Sequence, residues 1–280
     1  MYVPHTKVSN PFPHWLALGR VRGVQLPTGK TIMKKLSVFI LAAVMALAAS
    51  SLFARSGEKT ITIAVDPNWP PLEFIDDNNQ IVGFGIDYLT AACRESGYEA
   101  KFVKTDWDVI FSDLDAGKYD AVMSSVTVTN ERRAVMDFTI PYYIVRQCLL
   151  IPINSPLDNI RQLSGQRVGT QAETTATEIV EKVTGAKSST FPDIETAINA
   201  LAAGELDAVI CEDVVAADFL GNPAIKSKVK IASVIDTPGA EELYAVAVKK
   251  NNLDVLVALN DGIKAVKSKG TEAELLRKWF

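Results

Sequence analysis

"LDAGKYDAVM" at residues 114–123 and "LAAGELDAVI" at 201–210 agree at six of ten positions. Each reads as a helix end, a glycine stop, a turn and an apolar strand. Each also follows an opening strand, "TIAVDPNW" at 62–69 and "QRVGTQAETT" at 166–175. Two copies of one α/β step, in the same order, predict two similar α/β lobes within a chain of 280 residues, long enough for two ordinary domains.

Between these landmarks, strands and helices alternate, which implies parallel βαβ units. "ITIAV" (61–65) is a β-branched apolar run that stops at Asp66-Pro67. Ile86, Leu89 and Cys93 recur at helical spacing, and Gly97 ends that helix. "AKFVKT" (100–105) reads as a strand. Asp106 is a natural N-cap for a helix with Val109, Ile110 and Leu114 on one face and Gly117 at its end.

The first 54 residues differ in character. They hold six basic residues and no acid. From Met33 to Ala54, Lys34-Lys35, an apolar stretch and a small residue at a possible cut form the pattern of a secretory signal peptide (33–54). Its apolar part is short for a membrane span. Residues 1–32 read as a mis-assigned upstream start. Export to the periplasm follows. Removing the six cations leaves 23 basic against 33 acidic residues, a net charge of −10. Such a chain offers no basic face to nucleic acid. The only histidines, His5 and His14, precede the expected mature chain. Three separated cysteines, Cys93, Cys148 and Cys211, give neither a disulfide framework nor a CxxC motif. No cofactor and no metal are expected, and no Ser-His-Asp or phosphate-loop pattern is present.

In open α/β sheets, ligands bind beyond the carboxyl ends of the strands. After the first echoed strand stand Ser124, Ser125, Thr127 and Arg132; after the second stand Cys211, Glu212 and Asp213. Facing lobes would make a polarised cleft suited to a small zwitterion, its carboxylate on the hydroxyl and arginine side and its ammonium on the acidic side. Thr129 is placed to cap a helical turn beginning at Asn130, and Thr175 with Glu178 fits a capping box. Arg132 supplies the bidentate geometry a carboxylate prefers.

"DPNWPPLEF" (66–74), "GFGIDYLTAA" (83–92), the long run 106–143, "VGTQAETT" (168–175), "GELDAVICED" (204–213) and "KSKGTEAELLRKWF" (267–280) carry a resemblance across residues 58–280. The chain resembles the periplasmic amino-acid-binding proteins of ABC importers, solute-binding family 3. The resemblance implies a type II periplasmic-binding-protein fold, two α/β lobes joined by two crossing hinge strands. Lobe one would take 58–145 and 246–280, lobe two 148–242. It further implies that Ser124, Ser125, Thr127 and Arg132 hold a free amino acid from lobe one. Thr175 and Gln171 hold it from lobe two, Trp69 and Trp107 sandwich its side chain, and Glu212 takes the ammonium. The partner implied is a membrane ABC permease, with the binding protein acting as a monomer. Two positions depart from the pattern. Glu212 stands where an aspartate is usual, leaving Asp213 as an alternative ammonium contact, and Glu173 replaces a glycine.

Asp66 and Glu73 flank Trp69, and two indoles favour a cation by their faces. A basic amino acid is therefore expected, with a polar neutral one next. An enzyme is the alternative: cyclohexadienyl dehydratases resemble this fold, and Glu173 is an acid beside the expected site. A soluble ligand-sensing partner of a receptor is a third reading. The chain's end at Phe280, without a membrane helix or further domain, favours a free binding protein.

Overall fold

A computed structural model describes residues 59–235 and 241–280. The expected signal peptide and upstream segment lie outside the described residues. The chain opens with β1 (Lys59–Val65), followed by a small antiparallel ribbon of β2 (Asn68–Trp69), β3 (Glu73–Ile75) and β4 (Ile81–Val82). Helix α1 (Phe84–Glu95), β5 (Tyr98–Lys104), α2 (Trp107–Asp115), β6 (Ala121–Val122), α3 (Asn130–Val135) and β7 (Met136–Phe138) come next. β1 runs parallel to both β5 and β6, the pairing that βαβ units produce.

β8 (Tyr143–Pro152) then leaves this sheet. The second lobe is built from β9 (Arg167–Gln171), α4 (Thr175–Glu181), β10 (Lys187–Phe191), α5 (Ile194–Ala203), β11 (Ala208–Glu212), α6 (Asp213–Phe219), the single turn α7 (Pro223–Lys226) and β12 (Val229–Val234). Its sheet has the order β10-β9-β11-β8-β12. The return path is β13 (Glu241–Tyr244) followed by β14 (Ala247–Lys249), and helices α8 (Leu253–Ser268) and α9 (Thr271–Trp279) close the chain on the first lobe. β14 completes the first sheet in the order β5-β1-β6-β14-β7. Between the lobes, β13 pairs antiparallel with the first part of β8, Glu241 opposite Arg146 and Tyr244 opposite Tyr143. The second part of β8 pairs with β11 and β12.

Both sheets are covered on two faces, so their strands bury alternate residues in different cores. Ile61, Ile63 and Val65 face α1 and α8, whereas Ala64 faces the core of Ile110, Leu114 and Phe138. In the second lobe, Leu150 and Val209 pack with Ile198 and Leu201, while Leu149, Ile151 and Ile210 pack with Val168 and Val180. The echoed glycines are stops: Gly117 and Gly204 have φ of 75° and 82°, a region a side chain at Cβ disfavours. On α2, Trp107, Ile110 and Leu114 form the buried face, and Val109, expected there, is 40% exposed. Asp106 is the N-cap residue of α2, but its side chain makes no capping bond.

Candidate functional site

The end of β1 and the loop after β6 are pinned together at the cleft. Ser124 Oγ accepts from the Asp66 amide at 3.0 Å and donates to the Asp66 carbonyl at 3.2 Å. Its hydroxyl is thus engaged with the scaffold. Ser125, in a left-handed conformation at φ 47°, turns the chain sharply, and its buried Oγ has no partner. Thr127 pairs its backbone with Tyr244, and its Oγ1 donates to Glu242 Oε2 at 2.6 Å.

Thr129 caps α3 as its sequence position suggests, its hydroxyl accepting from the Arg132 amide at 3.2 Å. That turn aims Arg132 across the cleft. Nη1 donates to the Thr127 carbonyl at 3.0 Å and Nη2 to the Glu173 carbonyl of the second lobe at 3.3 Å. The guanidinium lies 5.6 Å from the Trp107 ring centroid and 5.2 Å from that of Phe111. Burial works against its charge; the Glu242 and Glu178 carboxylates support it.

The capping box expected at Thr175 and Glu178 is not formed. Thr174 occupies the N-cap position, and its side chain makes no cap bond. Thr175 begins α4, and its hydroxyl donates instead to Glu242 Oε2 at 2.9 Å. A hydrogen bond from this hydroxyl to a carboxylate 67 residues away is a long-range effect invisible to local spacing. Glu173 sits at φ 60°, a conformation its usual glycine counterpart adopts freely.

Glu212 is buried, and its Oε1 accepts from Gln147 Nε2 at 3.0 Å. Burial first, and the neighbouring Glu242 charge second, push its pKa up to about 7. Asp213 is differently engaged: its Oδ1 accepts from the amides of Val214 and Arg146. On the ribbon of the first lobe, Glu73 is fully buried with only Ser125 turned toward its carboxylate, and burial raises its pKa well above the usual range. Gly85 makes room for it, since a Cβ there would lie 3.2 Å from Glu73 Oε2. Asp66 is raised to about 6 by burial, against the opposing pull of Trp69, of Asn68, whose Nδ2 donates to it at 2.6 Å, and of Gln171.

Trp69, from the first lobe, is buried among Leu150, Ile194, Ile198 and Leu201 of the second. Trp107 packs edge-on against Phe111 at 5.0 Å and offers a face to Arg132. The two indoles form no ring pair with each other; the buried Trp107 N–H has no partner, and the Trp69 N–H and the Gln171 amide turn toward Asp66 without a close hydrogen bond. Trp107 also lines a cavity of about 350 Å³ at the mouth of the cleft. Its other walls are Asp66, Asn68, Asp106 and Asp108 of one lobe and Ala172, Glu173, Pro192 and Asp193 of the other. Five of these nine residues are acidic and none is basic. A second cavity, about 460 Å³, opens on Thr127, Gln147, Thr175 and Glu242. Among the described residues, no group of three or more His, Cys, Asp or Glu is arranged to hold a metal ion.

The bacterial extracellular solute-binding proteins, family 3, match this chain over residues 61–280. The chain belongs to that family. It is 31% identical to ABC transporter arginine-binding protein 1 of Escherichia coli K12 over 250 residues, covering 89% of this chain and 99% of the relative. An ancestral arginine-binding protein solved with glutamine bound is 32% identical, with a TM-score of 0.73 over 79% of this chain and 97% of that one. The arginine-, lysine-, histidine-binding protein ArtJ of Geobacillus stearothermophilus is 28% identical, with a TM-score of 0.73 over 79% and 95%. The two-lobed architecture of this family 3 solute-binding protein is that of these structures.

Two residues of the family 3 chain escaped sequence reasoning. Gln147 and Glu242 lie on the two segments that cross between the lobes and meet at 3.2 Å. A signal for Glu242 was available. It does not lie in hydropathy: in "EELYAV" the charged Glu242 is buried on one face with Tyr244 and Val246 while the apolar Leu243 points outward, so only the period-two position of Glu242 beside Tyr244 marks it.

Proposed function

We propose that this protein captures a free basic amino acid in the cleft between its lobes and delivers it to a membrane ABC permease. The observation that carries the choice of a basic ligand is the acidic wall of Asp66, Asp106, Asp108, Glu173 and Asp193; no basic residue lines that cavity, and Arg132 adjoins it from behind Trp107 and Glu173. A cationic side chain would be drawn there by charge and by the face of Trp107. Buried Glu73 adds a carboxyl group that no basic side chain pairs. At the other end Arg132, Thr127 and Thr175 supply donors for the ligand's carboxylate, and Glu212 accepts from its ammonium. Ser125, Gln171 and Trp69 bring further buried polar groups, turned toward the Glu73 and Asp66 carboxylates and held by no close hydrogen bond, which a polar ligand would share. Ser124 would hold this loop in place through Asp66.

In this reading residues 58–145 and 246–280 move as one lobe and 148–242 as the other, with β8 and β13 as hinges. The mature protein follows removal of a signal peptide and works in the periplasm as a monomeric binding protein, not an enzyme. The named activities of its relatives, arginine binding among them, support the binding role. A thermal-shift screen against the twenty amino acids tests it. Saturating arginine or lysine, at about 100-fold the dissociation constant, adds about 2.7 kcal/mol of stability. Stabilisation by glutamine alone would exclude the basic class, and conversion of prephenate to phenylpyruvate would exclude a binding-only role.

A further inference from the structure

Three donors from three parts of the chain converge on one carboxylate. Thr127 Oγ1, from the first lobe, reaches Glu242 Oε2 at 2.6 Å. Thr175 Oγ1, from the second lobe, reaches the same oxygen at 2.9 Å. Gln147 Nε2, from the hinge strand β8, reaches Oε1 at 3.2 Å. Glu242 itself belongs to β13, the other hinge strand, and is buried. A carboxylate carried by the hinge therefore joins both walls of the cleft.

A hydroxyl has one hydrogen to donate. Thr127 and Thr175 are two of the donors assigned above to the ligand's carboxylate. While both are committed to Glu242 they cannot serve a second anion, and two carboxylates brought to the same pair of hydroxyls would also repel each other. We propose that Glu242 is a built-in competitor of the ligand's carboxylate. In the ligand-free protein it occupies the hydroxyl cradle and ties the lobes together. An arriving amino acid must displace it before both hydroxyls turn to the ligand. Glu242 is then an affinity-setting residue, because apparent affinity is reduced by the fraction of molecules whose cradle is free. It also discriminates among ligands. A cation without a carboxylate does not compete for the hydroxyls and meets no such obstacle.

The inference rests on the reading that Thr127 and Thr175 hold the ligand's carboxylate, and the test separates the two. Binding of arginine and of agmatine, which has the same guanidinium arm but no carboxylate, is measured by calorimetry on the wild type, Glu242→Ala, Glu242→Gln and Thr175→Val. Glu242→Ala should bind arginine about tenfold more tightly, the factor for a cradle self-occupied nine-tenths of the time. It should bind agmatine no better than the wild type. Glu242→Gln keeps the side chain's size and one acceptor oxygen, so it should gain less, and it serves if the alanine variant fails to fold. A loss of arginine affinity, no change, or an equal gain for both ligands overturns the proposal. Thr175→Val should weaken arginine but not agmatine. If it leaves arginine unchanged, the carboxylate reading itself fails. If it weakens arginine while neither Glu242 variant tightens it, only the self-occupancy fails.

Discussion

Gln147 and Glu212 stand opposite each other across the antiparallel pair of β8 and β11, and the amide donates to the carboxylate at 3.0 Å. Neutral donors, its own backbone amide, Gln147 and Tyr244, do not offset full burial beside Glu242, which is why the Glu212 pKa is pushed up to about 7.

A pH dependence follows. Glu212 moves from 4.5 in the unfolded chain to about 7, and Asp66 from 3.8 to about 6. Between those values the folded state holds more protons than the unfolded one, so stability falls as pH rises. For Glu212 the loss is on the order of 3 kcal/mol. Asp137 and Asp207, held low by Lys250 and Arg167, act below this window. Urea melts of the ligand-free protein should give a lower midpoint at pH 8 than at pH 5. A bound cation favours the charged carboxylates, so arginine affinity should rise over the same interval with release of protons. A midpoint that rises with pH would contradict the burial of these groups.

Arg132→Ala should weaken amino-acid binding ten- to a hundredfold, the size of a lost charge-assisted hydrogen bond at about 1.5–3 kcal/mol. Arg133→Ala is the control, since that side chain is exposed and only skirts the Phe138 ring at 6.0 Å. Calorimetry giving equal losses for the two would remove Arg132 from the site.

Far from the cleft, Gly262 of α8 touches α1 so closely that a Cβ would lie 2.0 Å from the Ala92 carbonyl oxygen. Gly262→Ala must push two packed helices apart, at about 1–3 kcal/mol. Denaturant midpoints should fall while ligand affinity at 25 °C stays unchanged. An affinity loss would tie this helix pair to the site.

Trp69→Leu should cost more affinity for arginine and lysine than for glutamine, because leucine keeps the apolar contact and loses the indole's electrostatic face. Titrations with the three amino acids measure this. Equal losses would mean that Trp69 serves only as a plug between the lobes.

Much of this was legible in the sequence because it is local. Glycine stops, alternating strands and the Thr129 cap depend on neighbours within a few residues, and the echo of 114–123 in 201–210 multiplied that signal into a two-lobed architecture. The errors have two causes. Thr175 was read against Glu178, three residues on, yet its hydroxyl answers to Glu242, 67 residues away. Val109 was assigned to the inner face of α2, but Trp107 takes that role at helical spacing with Ile110 and Leu114. An aromatic at a helix's first position sets its rotation, and spacing alone does not weigh the larger side chain.

The seat of Trp69 has a thermal consequence. The indole is attached to one lobe and buried in the apolar cluster of the other, so parting the lobes rehydrates its ring and the cluster surface it meets. An aromatic of this size exposes roughly 150–250 Å² of surface when freed. That contribution to closure fades on cooling and strengthens with sulfate. Cold or urea should therefore loosen the closed form before the lobes themselves melt, and sulfate should tighten it with no amino acid present.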